Sequence, residues 1–307
     1  MTDITVIGDV NVDLLTSPID VYPKKDLQTI IDSTNLVVGG GAANSAFTFC
    51  KIGLKTRLVG LIGNDIFGEF IKRKIKEFGI EDSVKISDKV NTGISLGIHF
   101  KDGSRSLFTY RGTNHIFSLK DFRLEELKGK IVYISGYNFL DGLRKDFKKI
   151  LLYSKKKKML VGLDPDIKSG IRFSVKDFRR TLKLIDIFFL NMKEGVILTG
   201  KKGKMAITKA LLNYGCKIVV LHCGNKGCVV GSKNKIFTIE GIKVKPINPT
   251  GTGDIFNAGF VFEYMKTKDI KKAGIFANAT GALAVTRTDE KRFATEKEVI
   301  NFLRKKS

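Results

Sequence analysis

Short β-branched runs and amphipathic stretches take turns along this chain. Apolar runs at 4–7, 57–62, 131–134, 159–163, 187–190 and 218–221 have strand length and composition, whereas 42–52, 67–78, 145–154, 175–184 and 205–214 carry apolar residues at helical spacing. Further helices are expected after Gly253 and Asp269. This alternation predicts the α/β class, with a mostly parallel sheet covered on both faces by helices. Two regions break the rhythm. Residues 12–38 and 91–111 read as strands with no helix between them, the second pair turning at Lys101-Asp102-Gly103-Ser104, where Asp-Gly favours a hairpin. They predict a small separate sheet that projects as a lid from the carboxyl edge of the main one, where open α/β folds bind ligands. With no internal repeat and no low-complexity linker, residues 1–307 are expected to form one integrated module.

The chain has 307 residues, enough for a single α/β unit with an ample core or for two average domains. No stretch approaches the roughly 18 apolar residues that a membrane span needs, and strand-like sequence begins almost at once, so a cytoplasmic protein without a membrane partner is expected. Cys50, Cys216, Cys223 and Cys228 lack paired spacing and lie among apolar neighbours, which favours packing over metal or disulfide chemistry. Lys and Arg number 54 against 31 Asp and Glu, a net charge of +23. The lysines are scattered, and the densest run, Lys155 to Lys158, closes a helical pattern where cations are favoured. No basic stretch is interleaved with base-stacking aromatics, so no nucleic-acid partner is expected; the positive field suits ATP and phosphorylated metabolites.

Candidate chemistry concentrates in Asn248-Pro249-Thr250-Gly251-Thr252-Gly253-Asp254, followed by the apolar helix that begins Ile255-Phe256-Asn257. Gly251, Thr252 and Gly253 let backbone N–H groups converge at a helix N-terminus, a place for a phosphoryl group. Asp254 stands at the edge of that anion, poorly placed to stabilise negative charge and well placed to take the proton of an attacking hydroxyl. The plainer alternative is a threonine cap with an acidic residue in the first turn.

Gly39-Gly40-Gly41-Ala42-Ala43-Asn44 joins the expected lid to a helix and permits close backbone approach and a hinge. It is not a dinucleotide fingerprint, because Asn44 replaces the third glycine and no acidic residue ends a following strand about 20 residues on. Asn44 and Asp13 suit sugar hydroxyls; helix capping and a solvated turn are their structural alternatives. Gly195 to Lys202 nearly matches a phosphate loop, but Lys202 stands where a hydroxyl is required and the interior is too apolar. Just before it, Asn191 and Glu194 fall one helical turn apart after a strand and can hold magnesium through water beside a triphosphate, or form a capping box.

Taken together, these residues resemble the ribokinase-like carbohydrate kinases, the family named after the minor bacterial phosphofructokinase. The resemblance covers essentially the whole chain: Gly8-Asp9-Val10-Asn11-Val12-Asp13, the glycine hinge with Asn44, Gly60-Leu61-Ile62-Gly63-Asn64-Asp65-Ile66-Phe67-Gly68, Asn191 with Glu194, Gly224-Asn225-Lys226-Gly227 and the Thr250 to Asp254 signature follow in the expected order. It implies a three-layer α/β/α body with a β lid and an ATP- and magnesium-dependent transfer to an alcohol. By that similarity Asp254 is the base and Gly251, Thr252 and Gly253 form the anion hole. Asn191 and Glu194 would organise magnesium and the ATP phosphates, with Gly224, Gly227 and Asn278 lining the nucleotide site. Asp13, Gly40, Gly41 and Asn44 would grip the acceptor, with Arg111 adding a charged contact from the lid. A homodimer through the lid is compatible with this family.

Two departures qualify the match. Asn248-Pro249 stands where the family signature has aspartate and a hydroxyl residue, and in cation-activated relatives that aspartate borders the ion, so potassium activation is not expected. In Leu163-Asp164-Pro165-Asp166-Ile167-Lys168, Asp166 replaces a usual asparagine. The expected acceptor is a small sugar such as ribose, fructose or a keto-sugar acid. A nucleoside accepting at its 5′-hydroxyl is the alternative, with Phe100, Phe108 and Tyr110 as candidates for a base slot if they face the site. A non-enzymatic basic binding protein on the same fold would require a decayed signature, and the signature is present.

Overall fold

A computed structural model describes residues 2–167, 171 and 174–306. Its strands, in chain order, are β1 (Ile4–Gly8), β2 (Asn11–Thr16), β3 (Thr34–Gly39), β4 (Thr56–Gly63), β5 (Glu81–Ser87), β6 (Gly93–His99), β7 (Arg105–Tyr110), β8 (Ile131–Ser135), β9 (Leu160–Asp164), β10 (Ile187–Asn191), β11 (Ile218–His222), β12 (Cys228–Ser232) and β13 (Ile236–Ile239). Nine of them form the main sheet in the order β13-β12-β11-β10-β9-β8-β1-β4-β5. It is parallel from β11 to β5, and β12 and β13 extend it antiparallel. Helices cover both faces, as the alternating pattern predicts. Along β8, Ile131 and Tyr133 enter one core while Val132 and Ile134 enter the other, so the run is apolar at every position because each face meets a helical layer.

The second sheet has the order β3-β2-β6-β7. Its strands lie within the 12–38 and 91–111 regions or one residue beside them, and the expected hairpin is closed by Phe100 N–H donating to the Ser104 carbonyl at 2.9 Å, with Gly103 at φ 83°. Register fixes its two faces. Asp13 pairs with Ser95, and Ser95 with Thr109, so these three point to one side. Leu14, Leu96 and Phe108 form the next row, with Ile94 and Tyr110 beside it, and point to the other. Phe108 and Tyr110 therefore lie on the lid face opposite Asp13.

Several elements lacked a clear sequence signal. Edge strand β5 reads EDSVKIS, with just Ser83 and Val84 buried, and the C-terminal helix Glu296–Lys306 buries Val299 alone. The near phosphate loop is helix Met192–Thr199, ended by Gly200 at φ 69°, which agrees with its rejection. Among the described residues, no helix is long and apolar enough to cross a membrane.

Candidate active site

β1 has β4 on one side and β8 on the other, and the chain proceeds outward in both directions, which makes this the topological switch point. Gly8, Ser135 and Asp164 are paired across β1, β8 and β9 at their carboxyl ends, and Asn191 and His222 end β10 and β11. Asp9 follows β1 and accepts from Gly41 N–H at 2.9 Å and Ala42 N–H at 3.3 Å, holding the start of helix Gly41–Ile52 above the sheet edge. Gly40 has φ 90°, and a side chain there would strike the Asp9 carbonyl at 2.4 Å, so the hinge position requires glycine.

Helix Thr252–Thr267 starts after Gly251, which is left-handed at φ 69°, and directs its first-turn amides toward the same edge. Asp254 sits in that turn. Asn44 Nδ2 donates to Asp254 Oδ2 at 3.1 Å, and a side-chain carbon on Gly41 would lie 3.0 Å from Asp254 Oδ1. The hinge and the signature, over 200 residues apart in sequence, thus meet at one carboxylate. Below them, Asn257 Nδ2 donates to Asp164 Oδ2 at 2.6 Å and to the Tyr133 hydroxyl at 2.9 Å, which turns its amide oxygen to His222 Nε2 at 2.8 Å. With that oxygen as acceptor, His222 carries its proton on Nε2. Burial pushes the imidazole down to about 4, so it is a neutral support under Gly253 rather than a charged group.

On the lid side, Asp13 is buried and accepts from Asn11 Nδ2 at 2.9 Å. Burial raises its carboxyl to about 6; Arg292 opposes the shift, Asp9 adds to it, and Arg105 and Asn11 again oppose it. Burial and the Asp166 carboxylate likewise bring Asp9 to about 6. Ser135 Oγ, beside Gly41, is a buried hydroxyl with no hydrogen-bond partner among the described residues.

Asn191 and Glu194 form the capping box of helix Met192–Thr199: Glu194 N–H donates to Asn191 Oδ1 at 3.1 Å and Asn191 N–H to Glu194 Oε2 at 2.7 Å. Glu194 Oε1 accepts from Ile167 N–H at 2.8 Å, tying the box to the segment after β9; Lys168 lies outside the described residues. Asp164 is held well above the ordinary carboxylate range, first by burial and then by Glu194, Asp254 and Asp166. This oxygen-rich, like-charged surrounding fits a hard divalent cation that retains water and shares substrate phosphates, although among the described residues no three His, Cys, Asp or Glu side chains form a complete cage.

Gly224 and Gly227 bound the turn Gly224–Lys226 between β11 and β12, with Gly227 against the Ile239 carbonyl. Asn278 Nδ2 donates to the Glu240 carbonyl at 2.9 Å, so it braces the backbone beside that turn. Arg111 stands apart: its guanidinium bridges Asp141 at 3.0 Å and the Phe139 carbonyl at 3.4 Å, and Asp141 also holds Arg144 and, at 2.6 Å, His115. Arg111 is neither a loose surface side chain nor in contact with Asp13, Asn44 or Asp254 through any of these bonds. Sequence reading overlooked Asn257, which lies one turn after Asp254 and was detectable by helical spacing, and Arg292, for which no local pattern exists.

The family model for pfkB family carbohydrate kinases matches residues 1–296. The chain is 26% identical to the ribokinase of Haemophilus influenzae, with 98% of each chain covered, and 24% identical to the nucleoside kinase of Methanothermobacter thermautotrophicus, covering 92% of this chain and 89% of that one. Its fold matches an Escherichia coli structure described as a putative ribokinase II in complex with ATP and magnesium, with a TM-score of 0.87, 22% identity and coverage of 99% and 100% of the two chains. The chain belongs to the pfkB family of carbohydrate kinases.

Proposed function

We propose that this enzyme transfers the γ-phosphoryl group of ATP to a hydroxyl of a small sugar of the ribose, fructose or keto-sugar acid type. The observation that carries the reading is the position of Asp254, in contact with Asn44 and Gly41 and at the opening of helix Thr252–Thr267. The acceptor hydroxyl gives its proton to Asp254 as its oxygen bonds to the γ-phosphorus, and ADP leaves with the electrons of the broken P–O bond. Amides of Gly251 to Gly253 and the helix N-terminus meet the charge of the transferring group. Asp13, Asn44, Gly40 and Gly41 orient the acceptor; Gly224, Gly227 and Asn278 shape the nucleotide side. Asn191 and Glu194, with Asp164 below, would hold magnesium through water, and the ion would neutralise phosphate charge.

A sugar is favoured over a nucleoside by the lid. Its site-facing row is Asp13, Ser95 and Thr109, with Leu15, Leu107 and His99 further along the same face, while Phe108 and Tyr110, the aromatic candidates for a base slot, occupy the opposite face. That outer face exposes Leu96, Phe108 and Tyr110, which we read as the surface for a second copy in a lid-to-lid homodimer. We take residues 1–307 as one catalytic module working in the cytoplasm. ATP consumption across a panel of sugars, sugar acids and nucleosides tests the assignment: turnover confined to nucleosides would replace it, and none on any acceptor would reject it.

Two further results are expected here. Glu194→Gln should shift the magnesium dependence of turnover, and magnesium titrations that overlay those of the parent would reduce Glu194 to a helix cap. Asn248 has a neutral amide whose Oδ1 accepts from Thr250 N–H at 3.0 Å, so it offers no anionic oxygen to an alkali ion. Exchanging potassium for tetramethylammonium at constant ionic strength should leave kcat of the parent unchanged, and a potassium requirement should appear, if anywhere, in Asn248→Asp; a strong requirement in the parent would refute this.

A further inference from the structure

Arg292 ends the turn Asp289–Arg292 and is 2% exposed, the guanidinium most deeply buried beside the site. Its Nη1 donates to the Thr250 carbonyl at 3.1 Å, its Nη2 donates to Asn44 Oδ1, and a side-chain carbon on Gly251 would lie 3.4 Å from Nη2. The cation therefore rests against the residue that opens the helix bearing Asp254. Burial of a guanidinium is costly unless opposite charge surrounds it. The attracting groups are Asp13, Asp254 and Asp289, yet among the described residues none closes on Arg292 as a direct ion pair; its hydrogen bonds go to neutral oxygens. Its charge thus acts through space on the proposed base and on the proposed acceptor carboxylate together.

The hydrogen bonds add a geometric constraint. A guanidinium only donates, so the Asn44 amide must turn its oxygen to Arg292, which leaves Nδ2 facing Asp254 Oδ2 at 3.1 Å. The lid is tied to the same turn, because Asn35 on β3 donates to Asp289. One short segment thereby touches the lid, the hinge and the helix cap.

We propose that Arg292 is a tethered cation of the active site and a positioning residue for Asp254: its fork locks Asn44 in the orientation that presents an amide to the base, and its charge acts on both Asp254 and Asp13. The kinase reading underlies this role. Chemically, the two effects reinforce each other. A fixed positive charge favours the ionised forms of both carboxylates in a dry pocket, and the oriented amide holds the Asp254 oxygen in place for proton transfer.

The test has one arm that needs no turnover. Thermal midpoints of the parent, Arg292→Ala and Arg292→Lys are compared in guanidinium, potassium and tetramethylammonium chloride at equal, non-denaturing concentration. Guanidinium is expected to narrow the midpoint gap between Arg292→Ala and the parent, beyond the denaturing shift common to both, while the other two salts leave the gap as it is; an equal shift of parent and Arg292→Ala by guanidinium overturns the proposal. In the second arm, with an acceptor identified for the parent, kcat of Arg292→Ala should fall by about 10²-fold, recover in part with guanidinium, and show an acid limb of kcat/KM displaced to higher pH. Parental kcat and pH profile in folded Arg292→Ala overturn the role. Should that variant not fold, Arg292→Lys decides: a reduced kcat with the acid limb in its parental place supports a charge that has lost its fork, and an acid limb displaced upward refutes the charge role. The charged groups facing Asp13 in that profile are Arg292, Asp9 and Arg105. A parent inactive on every acceptor counts against the kinase reading instead, and the stability arm still judges Arg292.

Discussion

Asp254→Asn is expected to lower kcat by on the order of 10²–10⁴ while leaving the fold and ATP affinity intact. The replacement is isosteric, and its side-chain oxygen can still accept from Asn44 Nδ2, which now reaches Asp254 Oδ2 at 3.1 Å, so the contact between hinge and signature survives. What is lost is the proposed acceptor of the hydroxyl proton. Removing this carboxylate relieves Asp164, which Asp254 helps to hold above its ordinary range, and takes one attracting charge away from buried Arg292, so the two effects oppose each other and thermal stability should change little. The measurement is kcat at saturating ATP and acceptor together with calorimetric ATP binding. Retention of most activity would remove Asp254 from the role of base, and loss of ATP binding would move it to the nucleotide side.

Much of the fold was legible because helical layers on both faces of a parallel sheet demand continuous apolar strands, and 131–134 or 187–190 can hardly be anything else. Edge strands escape this logic. β5 buries just the adjacent Ser83 and Val84, which point to opposite faces, so it shows neither a continuous apolar run nor alternation, and β12 and β13 add as a short antiparallel ribbon after a glycine turn. Strand alternation in the lid separated two faces without saying which residues of different strands shared one; pairing across β2, β6 and β7 puts Asp13, Ser95 and Thr109 on one face and Phe108 and Tyr110 on the other.

The site was legible to the extent that its chemistry is written in short runs. Gly251 to Asp254, Gly40 to Asn44 and Asn191 with Glu194 are local patterns whose backbone consequences follow from glycine and capping chemistry. The partners that complete them are remote. Arg292 reaches Asn44 across 248 residues, and Asn257 reaches Asp164 across 93. In sequence Arg292 stands in Asp289-Glu290-Lys291-Arg292, which reads as a solvated turn. It is inside because the turn packs back on the helix cap and Phe293 anchors it in the core, and no periodicity encodes that packing.

Asp13→Ala is expected to raise the acceptor KM by about 10²-fold and to spare ATP affinity: in the proposed acceptor role the carboxylate takes charge-assisted hydrogen bonds from substrate hydroxyls, and losing about two of these costs about 3 kcal/mol. Acceptor recognition should also depend on pH. Burial lifts the Asp13 carboxyl from 3.8 to about 6, so kcat/KM for the acceptor should decline as the pH falls through that value, and Asp13→Asn should lack the part of the decline that belongs to this residue. Asp9 titrates in the same window, which is why the asparagine variant rather than the parent profile makes the assignment. The stability effect has the opposite sense. A carboxyl whose folded value lies above its unfolded one favours the fold while protonated; its contribution is complete below 3.8 and lost as the pH rises through about 6. Above that point the parent carries a buried charge that Asp13→Asn does not, so the variant should melt at the same temperature or higher while binding its acceptor worse. Acceptor KM and thermal midpoints on both sides of that pH check the pair of effects. An unchanged KM in Asp13→Ala, or a weakened nucleotide site, would place Asp13 outside the acceptor pocket.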